Sequence, residues 1–288
     1  MSDLTAPGGP APDLAGDRSY PGTLLVGCAL TGVVVLLALV SFVWTPYDPG
    51  LIDGLHRLQG PSGEHLLGTD KFGRDELSRI MVGARTTVFV GVVAVGLSVL
   101  VGVPLGILGA MGPRWLGELV GRLGDLVLAF PALLLAIMLS AVYGGSTLTA
   151  MIAIGIAGIP TFARVTRSGA LGVLRSDYVL AARSCGLSAP AIAVRHVLPN
   201  VSSLIIVQAS VAFAMAILAE AALSFLGLGT PPDVPSWGRM LQESQELLFV
   251  APRLAWVPGA AIALAVLGFN LLGDGLRDRL DPRLKERR

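Results

Sequence analysis

The stretch SDYVLAARSCGLSAPAIAVRHVLPN, residues 176–200, decides how this chain folds. It lies between long apolar runs but is too polar and too broken to cross a bilayer. An oxygen of Ser176 or Asp177 is suited to cap a short helix. Gly186 is suited to end that helix, because glycine takes the left-handed conformation without a Cβ penalty. A second helix is expected to end at Pro199, because proline disfavours the α conformation of the residue before it. The pattern predicts two short helices joined by a sharp turn.

Two interpretations fit this helix–turn–helix segment. It is either an ordinary amphipathic connector between membrane spans or a docking site for a soluble partner. The second interpretation depends on Ala181 and Ala182, which are small enough to let another surface come close.

The segment resembles the cytoplasmic loop of ABC-importer permeases, whose pattern is roughly EAA, three residues, a glycine and, after spacers, an isoleucine and Leu-Pro. The matching positions are Leu180, Ala181, Ala182, Gly186, Ile192, Leu198 and Pro199, with Tyr178 and Arg183 in the same helix. Leu180 stands where the family usually has glutamate. The resemblance implies that residues 175–200, called here the docking loop, contact an ATPase subunit.

Composition indicates an integral membrane protein. Of the 288 residues, 53% are hydrophobic and only 14% are charged, whereas a soluble domain has about 25% charged residues. The net charge of +1 gives no indication of a nucleic-acid partner. Cys28 and Cys185 lie in different environments, an apolar run and the docking loop, so no disulfide framework is expected.

Six apolar stretches are long enough to span a bilayer, so we expect an all-α membrane protein with six transmembrane helices. They are residues 22–44, 86–110, 119–142, 148–170, 201–226 and 254–273. The first is expected to be an uncleaved anchor preceded by a disordered tail, residues 1–21. The polar residues 45–85 are expected to be extracytoplasmic, 86–275 to form a five-helix core that contains the docking loop, and 276–288 to be a basic cytoplasmic tail.

Positive charge predicts the orientation, because Lys and Arg are enriched on the cytoplasmic side. If the docking loop is cytoplasmic, the basic residues on that side are Arg18, Arg114, Arg122, Arg164, Arg167, Arg175, Arg183, Arg195, Arg277, Arg279, Arg283, Lys285, Arg287 and Arg288. Those outside are Arg57, Lys71, Arg74, Arg79, Arg85, Arg239 and Arg253. The first set is the larger, so both termini are expected to be cytoplasmic.

The string HLLGTDKFGRDELSRIMVGAR, residues 65–85, carries a second pattern. Asp75 and Arg79 are four apart and are expected to pair on an amphipathic helix, unless this is only a solvated face. Leu-Gly-Thr-Asp at 67–70 and Gly-Arg-Asp at 73–75 resemble permeases of the dipeptide, oligopeptide and nickel importer family, as do residues 270–282. The resemblance implies a type I ABC importer permease fold in a bacterial inner membrane. It also implies a companion permease in a heterodimer, two cytoplasmic ATPase subunits and an extracytoplasmic binding protein.

The chain lacks the residues of a nucleotide site. A P-loop needs a lysine after a glycine, and neither Lys71 nor Lys285 follows one. The three histidines have no metal-ligand spacing with the cysteines. We therefore expect no enzyme activity, cofactor or metal in this chain, and the resemblance implies that ATP is bound by the partner ATPases.

Two acidic residues lie within or beside predicted spans. An ionised group at a bilayer centre costs about 2.5–3.5 kcal/mol, so such groups face the protein interior or a wet pathway. Asp125 lies near Arg122 and is expected to form an interfacial ion pair or to line the pathway. Glu220 is deeper, and its alternatives are a place at the permease interface or along the pathway, or a structural hydrogen bond.

The function predicted from these features is a permease subunit of an ATP-driven importer for peptides or a similar small solute. The alternative is a secondary transporter or channel that acts without an ATPase. Such a protein would need a charged relay within its spans and, usually, internal repeats. The sequence shows no repeat and few intramembrane charges.

Overall fold

The computed structural model describes residues 21–280, and its regular structure is helical apart from one β-bridge between Thr69 and Asp75. The predicted tail at residues 1–21 thus falls almost wholly outside the described residues, as does most of the tail at 276–288. The helices are α1 (Pro21–Val40), α2 (Glu76–Met111), α3 (Arg114–Leu128), α4 (Ala132–Tyr143), α5 (Thr147–Val173), α6 (Asp177–Ser184), α7 (Ala189–Ile192), α8 (Leu198–Phe225), α9 (Trp237–Ser244) and α10 (Arg253–Leu280).

Five helices of the described chain, α1, α2, α5, α8 and α10, are long and apolar enough to cross a membrane. The single helix expected at residues 119–142 is instead a pair, α3 and α4, bent by 78°. The break falls at Ala129–Pro131, because proline lacks the N–H that would continue the ladder and restricts Phe130 before it.

Helices α3 and α4 nevertheless both pack along the same neighbour, α5. Gly117, near the start of α3, lies against Arg167 of α5. Ala136 of α4 packs in a cluster with Ala150, near the start of α5. Since α3 and α4 together run the length of α5 in the opposite direction, they form one broken span. The described chain then has six spans, as the apolar stretches of the sequence predict.

The centre of the bundle is the close pair α2 and α5. A Cβ added at Gly102 would lie 2.7 Å from the carbonyl oxygen of Ile159, and one at Gly106 would lie 2.5 Å from that of Ala163. Only glycine permits this approach, which is how helices without a hydrophobic driving force associate in lipid.

Helix α1 packs on α10 in the same manner and in the opposite direction. A Cβ at Gly275 would lie 2.7 Å from Leu24, and one at Gly268 would lie 2.9 Å from Leu30. The first and last spans are therefore neighbours, and the end of α1 lies at the same end of the bundle as the start of α10.

Helix α2 begins ten residues before the expected span, within the segment predicted as extracytoplasmic. The Asp75 carboxylate accepts from the backbone N–H of Ser78 at 2.8 Å and caps the helix. The rest of that segment, with α9 and the short 3₁₀-helix Gln245–Leu247, covers the bundle end opposite the docking loop. We call residues 45–75 and 229–252 the polar cap.

Candidate functional site

The docking loop has the helix–turn–helix form that its residues predict. Helix α6 ends at Ser184, and Gly186, which follows the C-cap residue Cys185, has a left-handed φ of +82°. The N–H of Leu187 bonds to the carbonyl of Ala182 at 3.1 Å. Ser176 precedes α6, but its hydroxyl donates to the carbonyl of Val173 at 2.6 Å instead of capping the helix.

The expectation that Pro199 ends the second helix is wrong. A π-helical turn, Ala193–Val197, carries α7 directly into α8. Pro199 lies in the first turn of α8, where its missing N–H costs little, and the N–H of Leu198 bonds to the carbonyl of Ala193. The second half of the docking loop is thus continuous with a membrane span.

The predicted site residues separate into an anchor and an exposed surface. Ile192 is 2% exposed and packs with Val179, Val197 and Val201, so it fastens the loop to the bundle and offers no surface to a partner. Ala182 is half-buried. The exposed predicted residues are Tyr178, Leu180, Ala181, Arg183, Gly186, Leu198 and Pro199. Ala181 and Gly186 are small, and Leu180 beside them is apolar, which suits close contact with another protein.

A groove of about 640 Å³ runs along the bundle between α2, α4, α5 and α8. Small side chains create the space, among them Ala94, Ala157, Gly158, Ala212 and Ala219. The polar side chains that line it are those of Ser98, Thr161 and Gln208. The volume and the mainly apolar wall are typical of sites for small molecules. Nothing in the sequence pattern singled out Gln208, since one glutamine within an apolar run carries little signal.

Asp125 forms an ion pair, but its partner is not Arg122. The Asp125 carboxylate accepts from Nη2 of Arg164, on α5, at 2.8 Å, and both side chains are mostly exposed. Arg164 lies one turn along α5 from Thr161, which lines the groove. The pair therefore stands at the end of the groove nearer the docking loop. An exposed pair contributes about 0–1 kcal/mol to stability.

Glu220 does not line the groove, although its neighbours Ala219 and Ala222 do. It is 1% exposed, and its Oε1 accepts from the hydroxyls of Ser224 at 2.7 Å and Thr230 at 3.1 Å. The Ser224 hydroxyl in turn accepts from the N–H of Thr230. This network ties the end of α8 to the polar cap and favours the structural hydrogen bond over a place on the pathway.

The expected pair of Asp75 and Arg79 is also wrong. Asp75 accepts from His65 at 2.9 Å, besides capping α2. Arg79 is 2% exposed and pairs with Asp70 and with Glu243 of α9. The spacing of four residues suggested a pair between Asp75 and Arg79. Asp75 instead caps α2, and this role directs its carboxylate away from Arg79.

Arg74 completes this buried cluster by bonding both acids, at 2.6 Å to Asp70 and 2.7 Å to Glu243. The cluster joins three parts of the chain. Asp70 and Arg74 come from the segment between α1 and α2, Arg79 from the start of α2, and Glu243 from α9. The sequence did not indicate Glu243, because it is distant in sequence from Arg74 and Arg79 and lies in no recognised motif.

The chain is similar to a known protein family and to several proteins of that family. Residues 102–286 match the family described as "binding-protein-dependent transport system inner membrane component". The dipeptide transport system permease protein DppC of Alkalihalophilus pseudofirmus is 42% identical over 91% of this chain and 86% of its own. The glutathione transport system permease protein GsiD of Pectobacterium atrosepticum is 41% identical, over 88% of this chain and 86% of its own.

A third relative is the di/tripeptide transport system permease protein DppC of Pseudomonas aeruginosa, 41% identical over 88% of this chain and 86% of its own. Among solved structures, the inward-facing MetNI methionine ABC transporter matches with a TM-score of 0.57 and 14% identity. That match covers 70% of this chain and 96% of the other. It shows the shared fold of the permease core.

Proposed function

The chain belongs to the family of binding-protein-dependent transport system inner membrane components, and from this premise we propose that it imports short peptides. It is the non-catalytic, multi-pass membrane subunit of an ABC importer, and ATP hydrolysis belongs to a partner ATPase. The observation that supports peptides as substrates is the 42% identity, over nine-tenths of the chain, with a dipeptide permease.

The proposal includes a companion permease in a heterodimer. The groove is walled by four helices of this chain and is partly open, so a pathway closed to lipid needs a second wall. The docking loop gives a further reason: each chain provides one loop, and an importer with two ATPases needs two.

The proposed orientation places the docking loop and both termini in the cytoplasm. In the described residues, Arg114, Arg164 and Arg167 lie at the docking-loop end. Arg79, at the start of α2, and the basic residues of the polar cap, Arg74 among them, lie at the opposite end. The polar cap would then meet the binding protein, and the exposed face of α6 would meet an ATPase. The chain itself is proposed to bind no cofactor, ATP being held by the ATPases.

Uptake measurements test the proposal. Cells that lack their own peptide importers would express this chain with the subunits that copurify with it. We expect ATP-dependent uptake of labelled dialanine that disappears when this chain is deleted. Uptake that persists without ATP would instead favour the secondary transporter. A working assembly that carries another solute and no peptide would refute the substrate class.

A further inference from the structure

We propose that Gln208, with Thr161, forms a subsite in the groove that holds the peptide bond of a substrate in transit. The inference rests on the proposed peptide import and adds a specific contact within the membrane subunit. Gln208 lies on α8 and Thr161 on α5, and both side chains line the same groove.

The Gln208 and Thr161 side chains differ from the other polar side chain of the groove in their hydrogen bonding. Ser98, the third polar residue of the groove, already has partners for its one hydroxyl hydrogen, since its Oγ lies 2.7 Å from the carbonyl oxygen of Gly155 and 3.0 Å from that of Ala94. Within residues 21–280, neither the Gln208 amide nor the Thr161 hydroxyl forms a hydrogen bond. The Gln208 amide and the Thr161 hydroxyl are therefore free to bond a ligand, on a wall whose other side chains, apart from Ser98, are apolar.

Both residues lie far from the ends of their helices. Thr161 is at the middle of α5, and Gln208 is well inside α8, so both lie within membrane-spanning helices. A polar group in such surroundings is costly unless it is paired. An unpaired amide at this position is suited to bind a polar group of the substrate transiently.

The donors and acceptors of these two side chains match those of a peptide bond. The Gln208 side chain offers one carbonyl acceptor and an NH₂ donor, and Thr161 offers a hydroxyl that can do either. A peptide bond presents the complementary N–H and C=O on one small unit. The apolar wall suits side chains of differing size, because it forms no directed bond with them. The arrangement would hold any short peptide by its backbone and select little among side chains.

The experiment combines a change in the residue with a change in the substrate. Transport by the complete assembly in proteoliposomes would be measured for alanyl-alanine and for its ester analogue alanyl-lactate, which lacks the amide N–H. The binding protein is the same throughout, so a difference between permease variants reports on the permease alone. Gln245→Leu, the same chemical change on the exposed 3₁₀-helix of the polar cap, is the matched control.

We expect Gln208→Leu to lower the maximal rate for alanyl-alanine by roughly five- to tenfold, as the loss of two hydrogen bonds implies. The ester rate should fall by only about two- to threefold, because the ester keeps the carbonyl acceptor but has no N–H to lose. Gln208→Met, which keeps the length of the side chain, and Thr161→Val should act in the same direction. Gln245→Leu should change neither rate.

Equal losses for the two substrates, or no loss for either, would overturn the subsite. If all three groove variants instead lose the companion permease on copurification, the groove is an interface between permeases and the inference is wrong. Failure of the proposed function looks different, because the wild-type assembly would then carry neither the peptide nor the ester.

Discussion

Nη2 of Arg79, at the start of α2, lies 3.0 Å from Oε2 of Glu243, on α9, although 164 positions separate the two residues. The guanidinium is nearly inaccessible to solvent, and the carboxylate is 16% exposed. The pair fixes the polar cap onto the first helix of the core. Because the two charges depend on each other and on Asp70 and Arg74, removal of one member leaves the others buried and incompletely paired.

Glu243→Gln is therefore expected to lower the free energy of unfolding by about 3 kcal/mol, since breaking a buried ion pair costs roughly 3–5 kcal/mol and Glu243 is partly exposed. Denaturant unfolding of the purified chain in detergent measures this. Glu246→Gln is the matched control: Glu246 is 84% exposed and 3.8 Å from Lys71, so its change should stay within about 1 kcal/mol. Equal effects of the two substitutions would show that the cluster does not stabilise the cap.

The second prediction concerns Glu220. Glu220→Gln keeps the side-chain oxygen that accepts from Ser224 and Thr230, so membrane abundance and transport should remain close to wild type. Glu220→Leu leaves those two hydroxyls without their acceptor and should destabilise the chain by about 1–3 kcal/mol. Immunoblots of membranes, with uptake normalised to abundance, separate the two effects. Loss of transport at normal abundance in Glu220→Gln would return Glu220 to the pathway.

The third prediction concerns the docking loop. Gly186→Val places a β-branched residue at φ +82°, which costs roughly 1–2 kcal/mol, while its Cβ meets nothing within 4 Å. Ala181→Glu adds a bulky charge to the exposed face of α6 without breaking the helix. Both variants should insert normally and lose ATPase in a pull-down through tagged permease. Ser202→Glu, outside the docking loop on α8, is the control. Normal ATPase recovery with both variants would make the loop a plain connector.

The sequence predicted the parts of this fold that depend on local chemistry. Apolar runs located the spans, and Gly186 located the turn of the docking loop, because a run length or a left-handed residue is a property of neighbouring positions. Residues distant in sequence were harder to pair. Asp125 was assigned to Arg122 on its own helix, whereas Arg164 on α5 is its partner. The bend at Pro131 was missed because the apolar run continues across it.

The groove, like the Asp125 ion pair, depends on residues that are distant in sequence and was not predicted. Its space comes from small residues on four helices, and no one segment reveals that they face each other. Gln208 became a candidate only when the structure showed an unpaired amide on that wall. Its apolar sequence neighbours gave no reason to distinguish it from a polar residue on any other face of α8.

The last prediction compares two glycines of α2. A Cβ at Gly102 would lie 2.7 Å from the carbonyl oxygen of Ile159 and 2.7 Å from Cβ of Phe162, whereas one at Gly96 would meet nothing within 4 Å. Gly102→Ala must push α2 from α5, so we expect a loss of about 1–3 kcal/mol in unfolding free energy. Gly96→Ala should be neutral or stabilising by up to about 1 kcal/mol, because alanine has the higher helix propensity. Unfolding of both variants in the same detergent gives the comparison. If Gly102→Ala is as stable as Gly96→Ala, the close α2–α5 contact does not hold the core together, and the wall of the groove is less rigid than its geometry indicates.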